Sequence, residues 1–123
     1  MNKFSEYKNK FNERILNIVR DNALYHNITE AENNVKIALT KYLDSLVKSQ
    51  IIYNYIILCD ETINTLEIVN QNSFLCKIGI QETKSDHDID KKFFTDEDIK
   101  KTTTYRLFEI KITPNNSVIN QIL

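Results

Sequence analysis

The spacing of apolar residues changes once along this chain, from a helical period to a strand period, and this change limits the possible folds. Up to about residue 49, apolar residues recur every three or four positions, which places them on one face of a helix. From residue 51 onward they form continuous or alternating runs, which are typical of strands. The pattern therefore predicts helices followed by strands.

Two helices are predicted in the first part of the chain. The first has one apolar stripe, which consists of Phe4, Tyr7, Phe11, Ile15, Ile18 and Val19. After a break, Thr29 and Glu32 have the capping-box spacing, in which each side chain accepts a backbone N–H at the start of a helix. The second helix is predicted from there to about Ser49. Its stripe is Val35, Ala38, Leu39, Tyr42 and Leu46, with Leu43 and Val47 at the border. The aromatic residues of both stripes are expected in the core or, for some of them, at a subunit interface.

Three strands are predicted after the helices. Residues 51–59 are rich in β-branched and aromatic residues, which predicts a central strand covered on both faces. Residues 60–72 are polar and predict a connection. Phe74 to Ile80 alternates apolar and other residues, which predicts one buried face, and Tyr105 to Thr113 repeats that pattern until Pro114 ends it. This order favours an α+β fold, with two helices on one face of a small, largely antiparallel sheet of three to four strands.

Length and charge exclude several classes of protein. The 123 residues fit a single domain, 1–123. A net charge of -1 gives no overall field that attracts nucleic acid or an anionic membrane, and no apolar run approaches the roughly 20 residues of a membrane span. The lone glycine, Gly79, lies in a predicted strand, so no phosphate-binding loop is expected. We therefore predict no nucleic acid, membrane or small-molecule partner and no cofactor.

The segment Cys59-Asp60-Glu61-Thr62 follows the first predicted strand and places a thiol beside two carboxylates. A cysteine nucleophile needs a lowered pKa and a base, usually histidine, but His26 and His87 have no recognisable spacing to Cys59. We therefore predict no catalytic residue. Cys59 is expected to be a buried residue at the end of a strand.

The residues after Cys59 are expected to form a turn in which Asp60, Thr62 and Asn64 hydrogen-bond to their own backbone. The second cysteine, Cys76, is too distant from Cys59 in sequence for a Cys-x-x-Cys metal site, and two cysteines are too few for a disulfide scaffold. Both cysteines are therefore expected to be reduced.

An acidic loop spans residues 84–101. Asp86, Asp88, Asp90 and Glu97 occupy positions one, three, five and twelve of a calcium-binding loop. However, Lys91 stands at position six, where such a loop needs glycine, and the preceding segment is predicted to be a strand. The four carboxylates are thus weak calcium candidates, and no metal site is predicted. Phe93 and Phe94, in the same loop, are expected either to anchor it or to contact a partner.

The middle of the chain has a tyrosine-containing strand, a Cys-Asp turn and a second strand in close succession. The residues concerned are Tyr55, Cys59-Asp60-Glu61-Thr62, Asn64-Thr65, Ile68-Val69 and Phe74 to Ile80. This succession resembles the C-terminal domain of contractile-tail sheath proteins, found in myophages and related injection machines. In that family a helix leads into the first strand, and Asn-Thr or Asn-Pro follows the Cys-Asp turn. The resemblance covers roughly Phe11 to Gln81.

The chain also departs from the sheath pattern. Gln50 replaces the glycine that commonly precedes the first strand, no proline stands near Glu82, and residues 86–104 form an insertion. The large domain that normally precedes this module is missing, so a chain that is complete from Met1 is expected to be a small tail, neck or baseplate protein. The resemblance implies a structural virion protein without catalytic activity. Its partners would be other tail proteins and copies of itself, in a virion tail assembled in the host cytoplasm.

The resemblance also implies strand addition, in which an extended arm of one subunit completes the sheet of the next. The candidate arms are residues 1–5 and 117–123, the second of which lies in a polar tail, 114–123. We predict that the tail is a donated strand, loose in the isolated chain, with its contacts made by Val118, Ile119, Ile122 and Leu123. A frayed terminus is an equal alternative. The alternative function is a small cytosolic module that binds protein and is either calcium-responsive or otherwise regulatory.

Overall fold

This computed structural model describes residues 3–23, 27–82 and 105–122. Its elements, in chain order, are α1 (Lys3–Ala23), α2 (Ile28–Lys48), β1 (Asn54–Leu58), α3 (Leu66–Asn70), β2 (Phe74–Gln81), β3 (Tyr105–Ile112) and β4 (Ser117–Gln121). The strands form one sheet in the order β1-β2-β3-β4, and every neighbouring pair is antiparallel. Because α1 and α2 both pack against this sheet, the predicted α+β fold is confirmed.

The hydrophobic core lies between the two long helices and one face of the sheet. The helices contribute nine fully or almost fully buried apolar residues, namely Phe4, Phe11, Ile15, Val19, Ala31, Val35, Leu39, Leu43 and Leu46. The rings of Phe4, Phe11 and Phe108 meet with centroids 5.0 to 6.2 Å apart, in edge and tilted arrangements that favour aromatic contact. The apolar stripes thus hold α1 and α2 to the sheet, mainly by removing large side chains from water.

The two tyrosines of the stripes lie at the border of the core. The hydroxyls of Tyr7 and Tyr42 are 2.9 Å apart, and both rings are half-buried. Burial and the hydrogen bond with Tyr7 raise the pKa of Tyr42. The Arg14 guanidinium lies 5.4 Å from the centre of the Tyr42 ring, within cation–π range.

Within the described residues, no helix has both the length and the apolar character needed to cross a membrane.

The start of α2 differs from the predicted capping box. The N-cap is Asn27, whose side chain accepts the backbone N–H of Glu30 at 2.9 Å, so Thr29 lies inside the first turn. Asparagine caps helices as well as threonine does, and local spacing does not discriminate between them. Glu32 is not a capping residue either, because its side chain is buried and bonds to Asn64.

The end of α2 places Gln50 in the left-handed conformation. The Gln50 N–H donates to the Val47 carbonyl at 3.0 Å, and the Ile51 N–H donates to the Leu46 carbonyl at 2.9 Å. These two bonds form a Schellman motif, which places the residue after the C-cap in the left-handed region. Gln50 has a φ of 61° there. Glycine adopts this conformation with less strain, and a side chain costs about 1 kcal/mol. Gln50 therefore occupies a position at which the backbone favours glycine.

The first strand lies at an edge of the sheet that the described strands form, so the prediction of a central strand is wrong. β1 has a single neighbour, β2, among the described strands. Its apolar run is nevertheless explained, because Tyr55 faces the helices while Ile56, which is 2% exposed, is buried on the opposite face. Ile56 is in register with Gly79, and Gly79 with Leu107, which is also buried. The second face of β2 is thus partly buried too, contrary to the expectation of one buried face.

The C-terminal segment is a strand of the chain's own sheet, so the prediction of a loose tail is wrong. β4 pairs with β3 from Ile112↔Ser117 to Phe108↔Gln121. Pro114 does end β3, but the chain then turns back, and the Thr113 N–H donates to the Asn116 carbonyl at 2.8 Å. Ile119 packs against the core, and the Ile122 N–H donates to the Leu107 carbonyl at 2.8 Å. Leu123 lies outside the described residues.

Candidate functional site

The turn after β1 is held by Asp60. Its side-chain Oδ1 accepts the Thr62 N–H at 3.0 Å and also the Thr62 hydroxyl. Its carbonyl accepts the N–H groups of Ile63 and Asn64, at 3.2 and 3.0 Å. The predicted bond from a side chain to the backbone of the turn is therefore confirmed for Asp60, whereas the Thr62 hydroxyl bonds to the Asp60 side chain instead. Their polar atoms are engaged in shaping the backbone.

Asn64 has a different role from the one predicted, because its side chain bonds to another strand. The Leu75 N–H donates to Asn64 Oδ1 at 2.7 Å, and Asn64 Nδ2 donates to the Leu75 carbonyl at 3.0 Å. β1 ends at Leu58, opposite Lys77, so Leu75 lies beyond the last residue of β1 that pairs with β2. The asparagine amide thus continues the hydrogen bonding of the ladder where the backbone of β1 has turned away. Asn64 is 5% exposed.

Glu32 connects this turn to α2. Asn64 Nδ2 also donates to Glu32 Oε2 at 3.2 Å, and Glu32 is buried. Burial raises the pKa of Glu32 above its ordinary value of 4.5. The hydrogen bond from Asn64 and the charge of Lys36 oppose this rise, whereas the charges of Glu61 and Asp60 add to it. Asn64 thus joins the turn to β2, and its bond to the Glu32 carboxylate joins both to α2.

The raised pKa of Glu32 predicts a pH dependence of stability. Because the folded chain binds this proton more tightly than the unfolded chain, the free energy of unfolding falls as the pH rises from about 4.5 through the raised pKa. In Glu32→Gln the carbonyl oxygen can still accept from Asn64 but no charge is buried, so this fall should disappear and stability at pH 7 should be unchanged or higher. Urea unfolding between pH 4 and 8 measures this. The exposed Glu13→Gln is the matched control and should keep the wild-type profile; a Glu32→Gln profile identical to wild type would contradict the prediction.

The two cysteines lie together, although they are distant in sequence. Cys59 follows β1 and is 2% exposed, which confirms the predicted buried strand end, and Cys76 in β2 is fully buried. Both thiols are free. Contact with the Cys59 thiol, and then burial, raises the pKa of Cys76. A raised pKa makes the reactive thiolate of Cys76 scarcer, and burial slows the access of any solute to either sulfur. Their sequence separation excluded a Cys-x-x-Cys metal site but gave no indication that the two thiols would be neighbours in the fold.

β1 and β4 are the two outer strands of the described sheet. At one edge, the Tyr55 hydroxyl of β1 donates to Asp44 of α2. Burial and this hydrogen bond raise the pKa of Tyr55 to about 12. At the other edge, Lys8 of α1 donates to the side chain of Gln121 in β4. Each edge strand is therefore tied to one of the long helices by a polar side-chain contact.

A cleft of about 400 Å³ opens at the end of the sheet that also carries the Asp60 turn. Its apolar lining includes Ala31, Val69, Phe74 and Ile112, and its polar lining is Asn72 and Ser73. None of the described residues that line it is titratable, so these residues offer no group for acid–base chemistry. An adjoining cleft of about 420 Å³ adds Arg20 and the β3–β4 turn.

The candidates in the acidic loop lie outside the described residues, namely Asp86, Asp88, Asp90, Glu97, Phe93 and Phe94, as do His26 and His87. Among the residues 3–23, 27–82 and 105–122, no group of three or more His, Cys, Asp or Glu side chains is arranged to hold a metal ion. The calcium hypothesis therefore keeps only its sequence pattern.

Sequence reasoning placed Asn64 in the turn but missed its contacts. Its partners Glu32 and Leu75 are 32 and 11 residues away, and no local spacing indicates either of them. The one available signal was the Asn-Thr that follows the Cys-Asp turn in the sheath pattern.

A scan against models of known protein families gives no match, and comparison with curated proteins and with solved structures gives none either.

Proposed function

We propose that this chain is a structural subunit of a contractile phage tail, sheath-like or associated with the neck or baseplate. It would bind other tail proteins and copies of itself through shape-complementary contacts and strand addition. The support is the resemblance to the sheath C-terminal domain together with a sheet whose outer strands each have one neighbour among the described strands. No catalytic role is part of the proposal.

The residues of the sheath-like pattern have structural tasks in this fold, which supports the resemblance. Tyr55 joins β1 to α2 through Asp44. Asp60 closes the turn, and Asn64 joins the turn to β2. Gln50 occupies the left-handed position at which the family commonly has glycine. Tyr55, Asp60 and Asn64 each hold neighbouring elements in place, which fits a module that is used for assembly.

The observation that carries the proposal is the outer edge of β4. Thr113 and Asn116 exchange backbone bonds, and the Ile122 N–H bonds to Leu107, so the residues of β4 that face β3 are Val118 and Asn120. Because backbone groups alternate in direction along an antiparallel strand, Ile119 directs its N–H and C=O away from β3. An extended segment of a neighbouring subunit can pair with such an edge. The segment predicted as a donor is therefore proposed as an acceptor.

Two substitutions at Ile119 test this edge. Ile119→Pro removes the outward N–H and leaves the bonds between β3 and β4 in place, since these come from the alternate residues. Ile119→Ala removes a similar amount of side-chain packing but keeps the N–H, so it is the matched control. We expect both variants to fold with similar melting temperatures, and only Ile119→Pro to lose assembly. Assembly is measured by sedimentation and electron microscopy after co-expression with the products of the neighbouring genes.

Each outcome bears on a different part of the proposal. Loss of assembly in Ile119→Pro alone supports pairing at β4. Normal assembly of both variants would exclude this edge and leave β1 or the outer helix faces as the contact. If wild-type chain forms no particle or complex with those gene products, the tail function itself is wrong.

A further inference from the structure

Cys59 and Cys76 are opposed across two antiparallel strands. The register of β1 and β2 pairs Leu58 with Lys77, and the next pair in the same register is Cys59 with Cys76. Both belong to the core cluster on the helix-facing side of the sheet, so their side chains share one face. Interaction with the Cys59 thiol is the main cause of the raised pKa of Cys76, which fits two neighbouring thiols. Two sulfur atoms are thus placed next to each other by the fold itself.

The hydrogen bonds of Leu75 show which type of cross-strand pair this is. The N–H and C=O of Leu75 both bond to Asn64, on the β1 side of β2. Because successive residues of a strand alternate in direction, those of Cys76 point toward β3. Cys59 and Cys76 therefore form a non-hydrogen-bonded pair, in which Cα atoms lie about 4.5 Å apart. This is within the range of about 4.4 to 6.8 Å that a disulfide spans.

We propose that Cys59 and Cys76 are a site of oxidative modification, at which a small-molecule disulfide converts the two thiols to one intramolecular disulfide. In the first exchange, the Cys59 sulfur attacks the small disulfide, forms a mixed disulfide and releases one small thiol. The Cys76 sulfur then attacks Cys59 and releases the second small thiol. Two protons and two electrons pass from the cysteines to the oxidant, which is reduced to two thiols.

The burial of the two cysteines determines which sulfur reacts first and how fast the exchange is. Cys76 is fully buried, whereas Cys59 is 2% exposed and adjoins the half-buried Asp60, so Cys59 is the sulfur that the oxidant reaches first. Exchange in the native state is slow, because both sulfurs are buried and the raised pKa of Cys76 leaves little thiolate for the second step. Once formed, the disulfide closes a covalent loop between Cys59 and Cys76, and this loop contains the Asp60 turn, Asn64 and α3. It would covalently fix the contact that joins this segment to β2, and this inference does not depend on the proposed function.

The test compares the folded and unfolded chain in mixtures of reduced and oxidised glutathione. Each sample is approached from the reduced side and from an oxidised chain refolded in the same buffer, quenched with acid, alkylated and weighed by mass spectrometry. We expect the equilibrium constant for the intramolecular disulfide to be at least about 10-fold larger in the folded chain than in urea, since the fold already holds the sulfurs together. The oxidised chain should melt about 5 to 10 °C above the reduced one.

Cys59→Ser and Cys76→Ser are the controls, and each should yield at most a glutathione adduct on the remaining thiol. The comparison of folded and unfolded wild-type chain does not require either variant to fold. An equilibrium constant in the folded chain equal to or below that in urea would overturn the proposal. A lower melting temperature after oxidation, or a disulfide that joins two chains, would overturn it as well.

Discussion

We expect Asn64→Ala to lower the free energy of unfolding by about 3 kcal/mol, because it leaves the Leu75 N–H and C=O without their partners in a buried site. Glu32 loses its hydrogen bond from the same amide, and its carboxylate stays buried. A domain of this size has a total stability of roughly 5 to 15 kcal/mol, so this single amide accounts for a large part of it. Urea unfolding at pH 7, followed by circular dichroism, measures the loss.

The control for this substitution is Asn33→Ala. Asn33 lies in α2 on the exposed side, and alanine favours helix, so stability should change by less than about 0.5 kcal/mol or rise slightly. If the urea midpoint of Asn64→Ala equals that of wild type, the amide does not support the ladder, and the role assigned to Asn64 is wrong.

Deletion of residues 117–123 should prevent stable folding of the chain. It removes the whole of β4 and leaves β3 without one of its two neighbours. The part of the core against which Ile119 packs then becomes exposed to water. The lost backbone pairs and apolar burial together are worth on the order of 5 kcal/mol. We expect the truncated chain to show poor dispersion of amide signals in NMR spectra and no cooperative melting transition.

A shorter deletion separates the strand from the end of the chain. Removing residues 122–123 keeps β4 and costs mainly the bond from the Ile122 N–H to Leu107, about 1 kcal/mol. That variant should fold and melt cooperatively. If a chain lacking residues 117–123 melts like wild type, β4 contributes little to the core. The sequence-based prediction of a loose tail would then be correct.

The fold was largely predictable because burial determines the period of apolar residues. Phe4, Phe11 and Ile15 are buried where the helical stripe placed them, and Ile78 and Ile80 where the strand alternation placed them. The alternation does not reveal the partner of a strand, however. Residues 51–59 have the continuous apolar run of a central strand because both faces of β1 are buried, and yet β1 lies at the sheet edge.

The candidate site was predictable only in part, for a related reason. The bonds of Asp60 to Thr62 span two residues and follow from local turn chemistry. The contact between Cys59 and Cys76 depends on the register of β1 and β2, and the bond of Asn64 to Glu32 depends on how α2 packs. Val118 and Ile119 alternate as a strand does, but the same alternation suits pairing within the chain or with a neighbour. Local spacing cannot discriminate between these cases.

The packing of α1 against the end of the chain has a consequence for synthesis on the ribosome. Phe4 and Phe11 contact the Phe108 ring, and Lys8 contacts Gln121, so the helix that is made first meets its strand partners last. Until β3 and β4 emerge, α1 can cover its apolar face only against α2. Contacts between such distant parts of a chain form slowly, because a long loop must close before they are made. Emergence of β3 and β4 from the ribosome is therefore the step that allows this core to close, and a nascent chain stalled before β3 would keep the phenylalanine face of α1 exposed to chaperones.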